Sequence, residues 1–251
     1  MDGSVVRCRV TTMSSLRLLS ACLCLGACTG GDPAQPPAAP SSPPAVVPDP
    51  VRIMPLGDSI TQGNTERDSY RRALYRRLQE RGARVDFVGS LRDNHLGPPP
   101  NPDFDLDHEG HWGWTADEIL AEIDGWARAA RPQLVLLHLG SNDALRGQSH
   151  PETVEELARI VAALREVEPR VTVLLSLLIP AAKPEGPRIE ELNAQLPALA
   201  DRLDAQGSRV VLVDQFTGFD PAGDTADGIH PNAAGEAKMA ERWLEALLPH
   251  L

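Results

Sequence analysis

Five short apolar runs punctuate the chain after residue 50: Val51 to Leu56, Val85 to Val88, Leu134 to Leu139, Val171 to Leu178 and Val210 to Val213. Each is too short for a typical helix, and Leu134 to Leu139 is almost wholly apolar, as expected of a strand covered on both faces. Between the runs, apolar residues recur at helical spacing. Tyr70, Ala73, Leu74 and Leu78 mark one face of a helix from Ser69 to Arg81, which Gly82 stops. Thr115 reads as the N-cap of a helix Ala116 to Ala130, with Glu118 at the capping-box position. Further helices are expected at Pro151 to Val167, Arg188 to Ala205 and Ala233 to Leu248.

Strands separated by helices imply right-handed crossovers. The expected fold is therefore α/β: a three-layer α/β/α sandwich around a five-stranded parallel sheet in flavodoxin-like order, occupying residues 51–251 as one domain. One connection stands apart. Gly89 to Trp114 is long, rich in Gly, Pro, Asn and Asp, and without periodicity, which points to a functional or mobile loop rather than a simple link.

The first 50 residues follow neither pattern. Arg7, Arg9 and Arg17 precede a small-residue apolar segment, Leu18 to Ala27, too short to remain as a membrane span, so residues 1–27 read as an export signal. Leu25, Gly26, Ala27 and Cys28 resemble a bacterial lipobox, which would make Cys28 the lipidated mature N-terminus and anchor the chain to a membrane. Cys22 also fits such a motif but leaves too few apolar residues after Arg17. Met13 is an alternative start, and an ordinary secretory signal is the alternative to a lipoprotein one. Residues 28–50, mostly Pro, Ala and Ser, cannot bury enough surface to fold and read as an extended tether.

Composition narrows the partners. The net charge is −11, and the one basic cluster, Arg71, Arg72, Arg76 and Arg77, is interleaved with apolar residues and reads as a solvated helix face, so nucleic acid is not expected. All four cysteines lie within the first 28 residues, which leaves the domain without an internal disulfide. His108 and His111, with Asp105, Asp107 and Glu109 nearby, match no metal-ligand spacing and read as loop polar groups. No metal or cofactor is expected, and the domain is expected to be a monomer.

The candidate chemistry lies at strand ends. Ser59 follows the first strand, Asn142 the third, and Asp227 with His230 precede the last helix; in a doubly wound sheet these positions border the crevice at the carboxyl edge. Each has a plainer reading: Ser59 as an N-cap, Asn142 as a turn or cap residue, Asp227 as a turn residue before Gly228, His230 as a core or loop histidine. Together they supply what acyl transfer needs. A serine hydroxyl requires an imidazole to take its proton, and the imidazole requires a carboxylate to fix its tautomer. The oxyanion requires donors, which the Asn142 amide and the backbone N–H groups of Ser59 and Gly113 could provide.

These residues resemble the SGNH or GDSL hydrolases. GDS at 57–59, Gly113, GSND at 140–143 and DGIH at 227–230 match that family's four blocks in order. MPLGDSIT, VDFVGS, HEGHWGWT and DGIHPNAAGEAKMA are similar more narrowly to carbohydrate esterase family three, which includes acetylxylan esterases. The resemblance implies a flavodoxin-like fold, Ser59 as nucleophile, His230 as base, Asp227 as its orienter and an oxyanion hole from Ser59, Gly113 and Asn142. It further implies removal of acetyl groups from an acetylated polysaccharide or oligosaccharide through an acyl-enzyme. Trp112 departs from the pattern, since a small residue is expected before Gly113. Trp112 and Trp114 are candidates for a sugar-stacking platform, with Asp58 beside the serine as a further substrate contact. Two other activities fit the sequence: a lysophospholipase or thioesterase with the same machinery, and a non-catalytic polysaccharide-binding lipoprotein.

Overall fold

The computed structural model describes residues 49–207 and 209–251. The export signal, Cys28 and the tether up to residue 48 lie outside the described residues.

The strands are β1 (Val51–Gly57), β2 (Val85–Phe87), β3 (Glu109–Gly110), β4 (Leu134–His138), β5 (Thr172–Ser176) and β6 (Val210–Val213). They alternate with helices α1 (Ser59–Gln62), α2 (Tyr70–Glu80), α3 (Ala116–Ala130), α4 (Ser141–Arg146), α5 (His150–Val167), α6 (Pro187–Asn193), α7 (Leu196–Asp204) and α8 (Ala233–Leu247). Every strand pair is parallel, in the order β2-β1-β4-β5-β6.

The apolar runs lack polar alternation because each face of the sheet has its own core. Met54, Leu56, Val135, Leu137, Val173 and Leu175 pack with α3, α5, α6 and α7 on one side. Ile53, Leu134, Leu136 and Leu174 pack with α2 and α8 on the other. Consecutive residues of one strand thus feed opposite cores, the period of two that a pleated strand dictates.

This arrangement fixes where a crevice must open. The chain leaves β1 toward the α2 layer and leaves β4 toward the α5 layer, although β1 and β4 are neighbours in the sheet. Their carboxyl ends therefore diverge, and the gap between them is the switch point at which doubly wound sheets bind ligands. Gly57 permits the close approach just before the gap: a Cβ there would sit 2.2 Å from the His138 carbonyl oxygen.

Three expectations need correction. The segment Arg188 to Ala205 is two helices, not one. Pro197 has no N–H to donate and its ring crowds the carbonyl four residues back, so the helix breaks at Ala194 and Gln195. β5 stops at Ser176 because Leu178 pairs with a side chain instead of a strand: its N–H donates to Asn193 Oδ1 at 2.8 Å and its carbonyl accepts from Asn193 Nδ2 at 2.9 Å. Finally, the long loop carries β3, which runs beside the end of β1 and adds a sixth, two-residue strand to the five expected.

Candidate active site

Residues 57 to 62 turn the end of β1 into a single helical turn. Asp58, not Ser59, is the N-cap: its Oδ1 accepts the Ile60 N–H at 2.9 Å. The cap leaves Ser59 as the first helical residue, 6% exposed, on the crevice side of the strand end. Asp58 itself is 0% exposed, so the expectation that it contacts substrate is overturned. Burial, with the charge of Asp143 added, pushes its carboxyl up to about 7; the Ile60 N–H and the Ser141 hydroxyl only partly offset this, and Oδ2 closes no hydrogen bond.

The sequence DGIHPN builds the other half of the site. Asp227 Oδ1 accepts the N–H groups of Ile229 at 3.0 Å and His230 at 2.8 Å, while Gly228 takes φ +87°, a left-handed conformation suited to glycine. The turn ends where Asn232 caps α8 through Ala234 N–H at 2.9 Å. It leaves the second carboxylate oxygen facing the ring: His230 Nδ1 lies 2.7 Å from Asp227 Oδ2, and His230 Nε2 lies 2.9 Å from Ser59 Oγ. Residues 171 positions apart in the chain are thus in direct hydrogen-bond contact. Burial raises the Asp227 carboxyl, but the backbone and ring N–H groups of His230 and the Ile229 N–H outweigh it and hold the group at about 2.

Asn142 is the second residue of α4, just past the end of β4, and its Nδ2 donates to the Trp114 carbonyl at 2.9 Å, leaving the second amide N–H uncommitted. Arg146 Nη2 donates to the Gly113 carbonyl at 2.6 Å, so α4 holds the 113–114 backbone from two points. The N–H groups of Ser59 and Gly113 donate to nothing among the described residues. Gly113 has φ +80°, and a Cβ there would meet nothing nearer than Arg146 at 3.5 Å. Backbone conformation alone is therefore enough to favour glycine at this position.

The two tryptophans do not form an open platform. Trp112 stacks on His95, with centroids 4.3 Å apart and planes 14° apart, and on His230, at 4.6 Å and 17°. The two imidazoles make no ring contact with each other, so they occupy opposite faces of the indole. Both imidazoles take up indole surface that a sugar ring would otherwise use. Trp114 turns inward, stacked on His111 at 4.5 Å and packed against the α3 side of the core. His111 in turn lies against Trp126 and donates from Nε2 to Glu109 Oε1 at 2.8 Å, while buried Glu109 also accepts the Ser90 N–H and hydroxyl, each at 2.7 Å. His108 Nδ1 accepts the Gly110 N–H at 3.0 Å. These polar residues knit the loop together. Among the described residues no group of three or more His, Cys, Asp or Glu side chains is disposed to hold a metal ion.

Arg71 is the residue that the sequence pattern misplaced. It is 0% exposed, not part of a solvated face. Its guanidinium donates to the carbonyls of Thr61 at 2.9 Å, Gln62 at 2.8 Å and Leu106 at 2.9 Å, and to Asn94 Oδ1 at 2.7 Å. It thereby ties the end of α1, which carries Ser59, to both halves of the long loop. Burial lowers its pKa only to about 10, so it stays charged at neutral pH. Arg71→Met removes the donor and leaves four acceptors buried; a loss of about 3 kcal/mol is expected, read as a fall in melting temperature of roughly 6–12 °C.

Comparison with known proteins places this geometry. The sequence profile of the GDSL-like lipase/acylhydrolase family matches residues 56–238, most of the chain. The chain belongs to this family. The GDSL-type chain is 31% identical over 227 residues to a multidomain esterase of Ruminococcus flavefaciens, a match covering 80% of this chain and 29% of that protein. Among solved structures, it is similar to the family 3 carbohydrate esterase of Clostridium thermocellum, with 34% identity, a TM-score of 0.69 and coverage of 80% of this chain and 96% of that one. It is also similar to an acetyl esterase variant solved with an acetate ion, with 31% identity, a TM-score of 0.71 and coverage of 79% and 97%. The chain spans between 29% and 64% of the length of the first three distinct curated relatives it matches.

Proposed function

We propose that this hydrolase is a serine esterase that removes acetyl groups from acylated carbohydrate at the cell envelope, exported and tethered through a lipid on Cys28. The observation that carries the reading is the unbroken contact from Ser59 Oγ through His230 to Asp227, at 2.9 and 2.7 Å.

In the proposed reaction His230 Nε2 takes the Ser59 proton as Oγ attacks the acetyl carbonyl. Asp227, whose carboxyl is held at about 2 and so is ionised at neutral pH, holds the Nδ1–H and faces the imidazolium that forms. We assign the oxyanion to the Ser59 and Gly113 N–H groups and the uncommitted N–H of Asn142. His230 then returns the proton to the departing sugar hydroxyl, leaving an acetyl ester on Ser59. Water, deprotonated by the same imidazole, attacks that ester, and Ser59 departs with the proton as acetate leaves. Each step uses only groups of this chain and water.

Acyl size is supported by the cleft beside the serine. Between Ser59, Ile60, Asn64, Arg67, Trp112 and Glu236 there is room for about one water-sized group, which suits the methyl of an acetyl ester. The structural relatives named for acetyl ester and carbohydrate ester hydrolysis support the same choice.

The test is a series of acyl esters on one sugar, from acetyl to dodecanoyl, run beside acetylated xylan and a lysophospholipid. Turnover should be greatest for acetyl and fall at least about tenfold by butanoyl, since each added methylene must find space the cleft lacks. A long-chain optimum, or faster hydrolysis of the lysophospholipid, would replace the carbohydrate reading with a lipase or thioesterase one.

A further inference from the structure

Trp112 directly precedes Gly113, and its indole stacks on both His95 and His230. We propose that Trp112 is a positioning residue for His230: its ring holds the imidazole in the plane that joins Ser59 to Asp227 and stabilises the positive charge that the imidazole acquires during acyl transfer. The proposal rests on His230 being the base, as argued above.

Three observations support it. The stacking is close to parallel, 17° between planes at 4.6 Å, so the imidazole lies over the π-face where attraction to a cation is strongest. The main chain that carries the indole is held on the element that bears the nucleophile: the Trp112 backbone N–H donates to Gln62 Oε1 at 2.8 Å, and Gln62 ends α1, which begins at Ser59. Ser59 and the Trp112 backbone are thus referenced to the same helical turn, and His230 meets that turn through the stacked ring. On the far face His95 completes the stack, fixed by its own N–H to the Gly63 carbonyl at 3.1 Å, one residue past α1. Ring contacts on both sides favour this one placement of the indole and, through it, of the imidazole.

The tie to charge has a kinetic signature. The imidazole is neutral when substrate binds and cationic in the transition state, so attraction to the indole grows along the reaction coordinate and is felt in kcat, not in KM. A sugar platform would behave in the opposite way, since stacking on a sugar is made on binding.

Trp112→Phe and Trp112→Leu separate these cases. Both fill the site with apolar volume, but only phenylalanine offers a π-face. Each is assayed on acetylated xylan and on a simple alkyl acetate without a sugar, with rates expressed per folded molecule. Expected is a roughly two- to thirty-fold loss of kcat in W112L, equal on both substrates with KM nearly unchanged, and recovery of most of that loss in W112F. His95→Ala should give a smaller loss of kcat in the same pattern. Unchanged kcat in W112L, equal losses in W112F and W112L, or a rise in KM confined to xylan would overturn the proposal. Ser59→Ala is run alongside: if it retains activity, the base assignment itself fails, whereas an inactive S59A with an indifferent W112L sinks the positioning role alone.

Discussion

Ser59→Ala is expected to lower the turnover of an acetyl ester by about 10⁴- to 10⁶-fold, since nucleophile, base and orienter act as a unit and removal of the nucleophile abolishes the covalent route. The fold should survive almost unchanged. Ser59 is the first residue of α1, the helix is capped by Asp58, and the serine hydroxyl bonds only the His230 ring, so the cost should stay within about 1 kcal/mol. Kinetics on purified protein, paired with a thermal melt, check both halves. A fluorophosphonate probe should label the unaltered chain and leave the S59A variant unlabelled. Residual turnover near the unaltered level, or labelling that persists in S59A, would move the nucleophile elsewhere and remove the basis for the esterase reading.

How much of this was legible beforehand depends on whether a residue acts through pattern or through contact. The strands could be read because each buries both faces, and a run such as Leu134 to His138 has no polar alternation to confuse it with a surface strand. The residues at strand ends could be read because a parallel sheet sends all of them to one edge, so Ser59, Asn142 and His230 converge by topology before any side chain is placed. Long-range contacts were beyond reach. Nothing local distinguishes Arg71, which bonds three carbonyls from two distant segments, from Arg72, which pairs with Asp103 at 2.6 Å in a partly exposed position. The signal that was present is its place on the helix: it immediately follows buried Tyr70 and precedes Leu74 by three, on the edge of the apolar stripe. Asp58 and Ser59 show the same limit at shorter range. Either could cap α1, and only the bond from Ile60 N–H decides. The sequence leaves Trp112 a candidate for a sugar platform because a Gly-rich loop offers no period from which to infer what covers a ring.

Asp227→Asn is expected to lower kcat by about 10⁴-fold, although it exchanges one oxygen for one nitrogen. The carboxylate only accepts hydrogen bonds, so it keeps the proton of the neutral imidazole on Nδ1 and leaves Nε2 with a lone pair aimed at Ser59 Oγ, 2.9 Å away. An amide can turn its NH₂ toward Nδ1 and favour the tautomer with the proton on Nε2, which cannot take the serine proton. Stability should move far less. The folded carboxyl sits at about 2, below its ordinary 3.8, so its contribution is present above pH 3.8 and is lost as pH falls through about 2. The side chain is half exposed, and solvent screening limits the contribution at neutral pH to about 1 kcal/mol. Across the range from pH 5 to 9 the Asp227 charge is therefore constant, and any titration of activity there belongs to other groups. The decisive comparison sets kcat against melting temperature for D227N at pH 7: a loss of several decades in rate with a shift of only a few degrees assigns Asp227 to the chemistry, whereas parallel losses would reduce it to a turn residue that happens to face the ring.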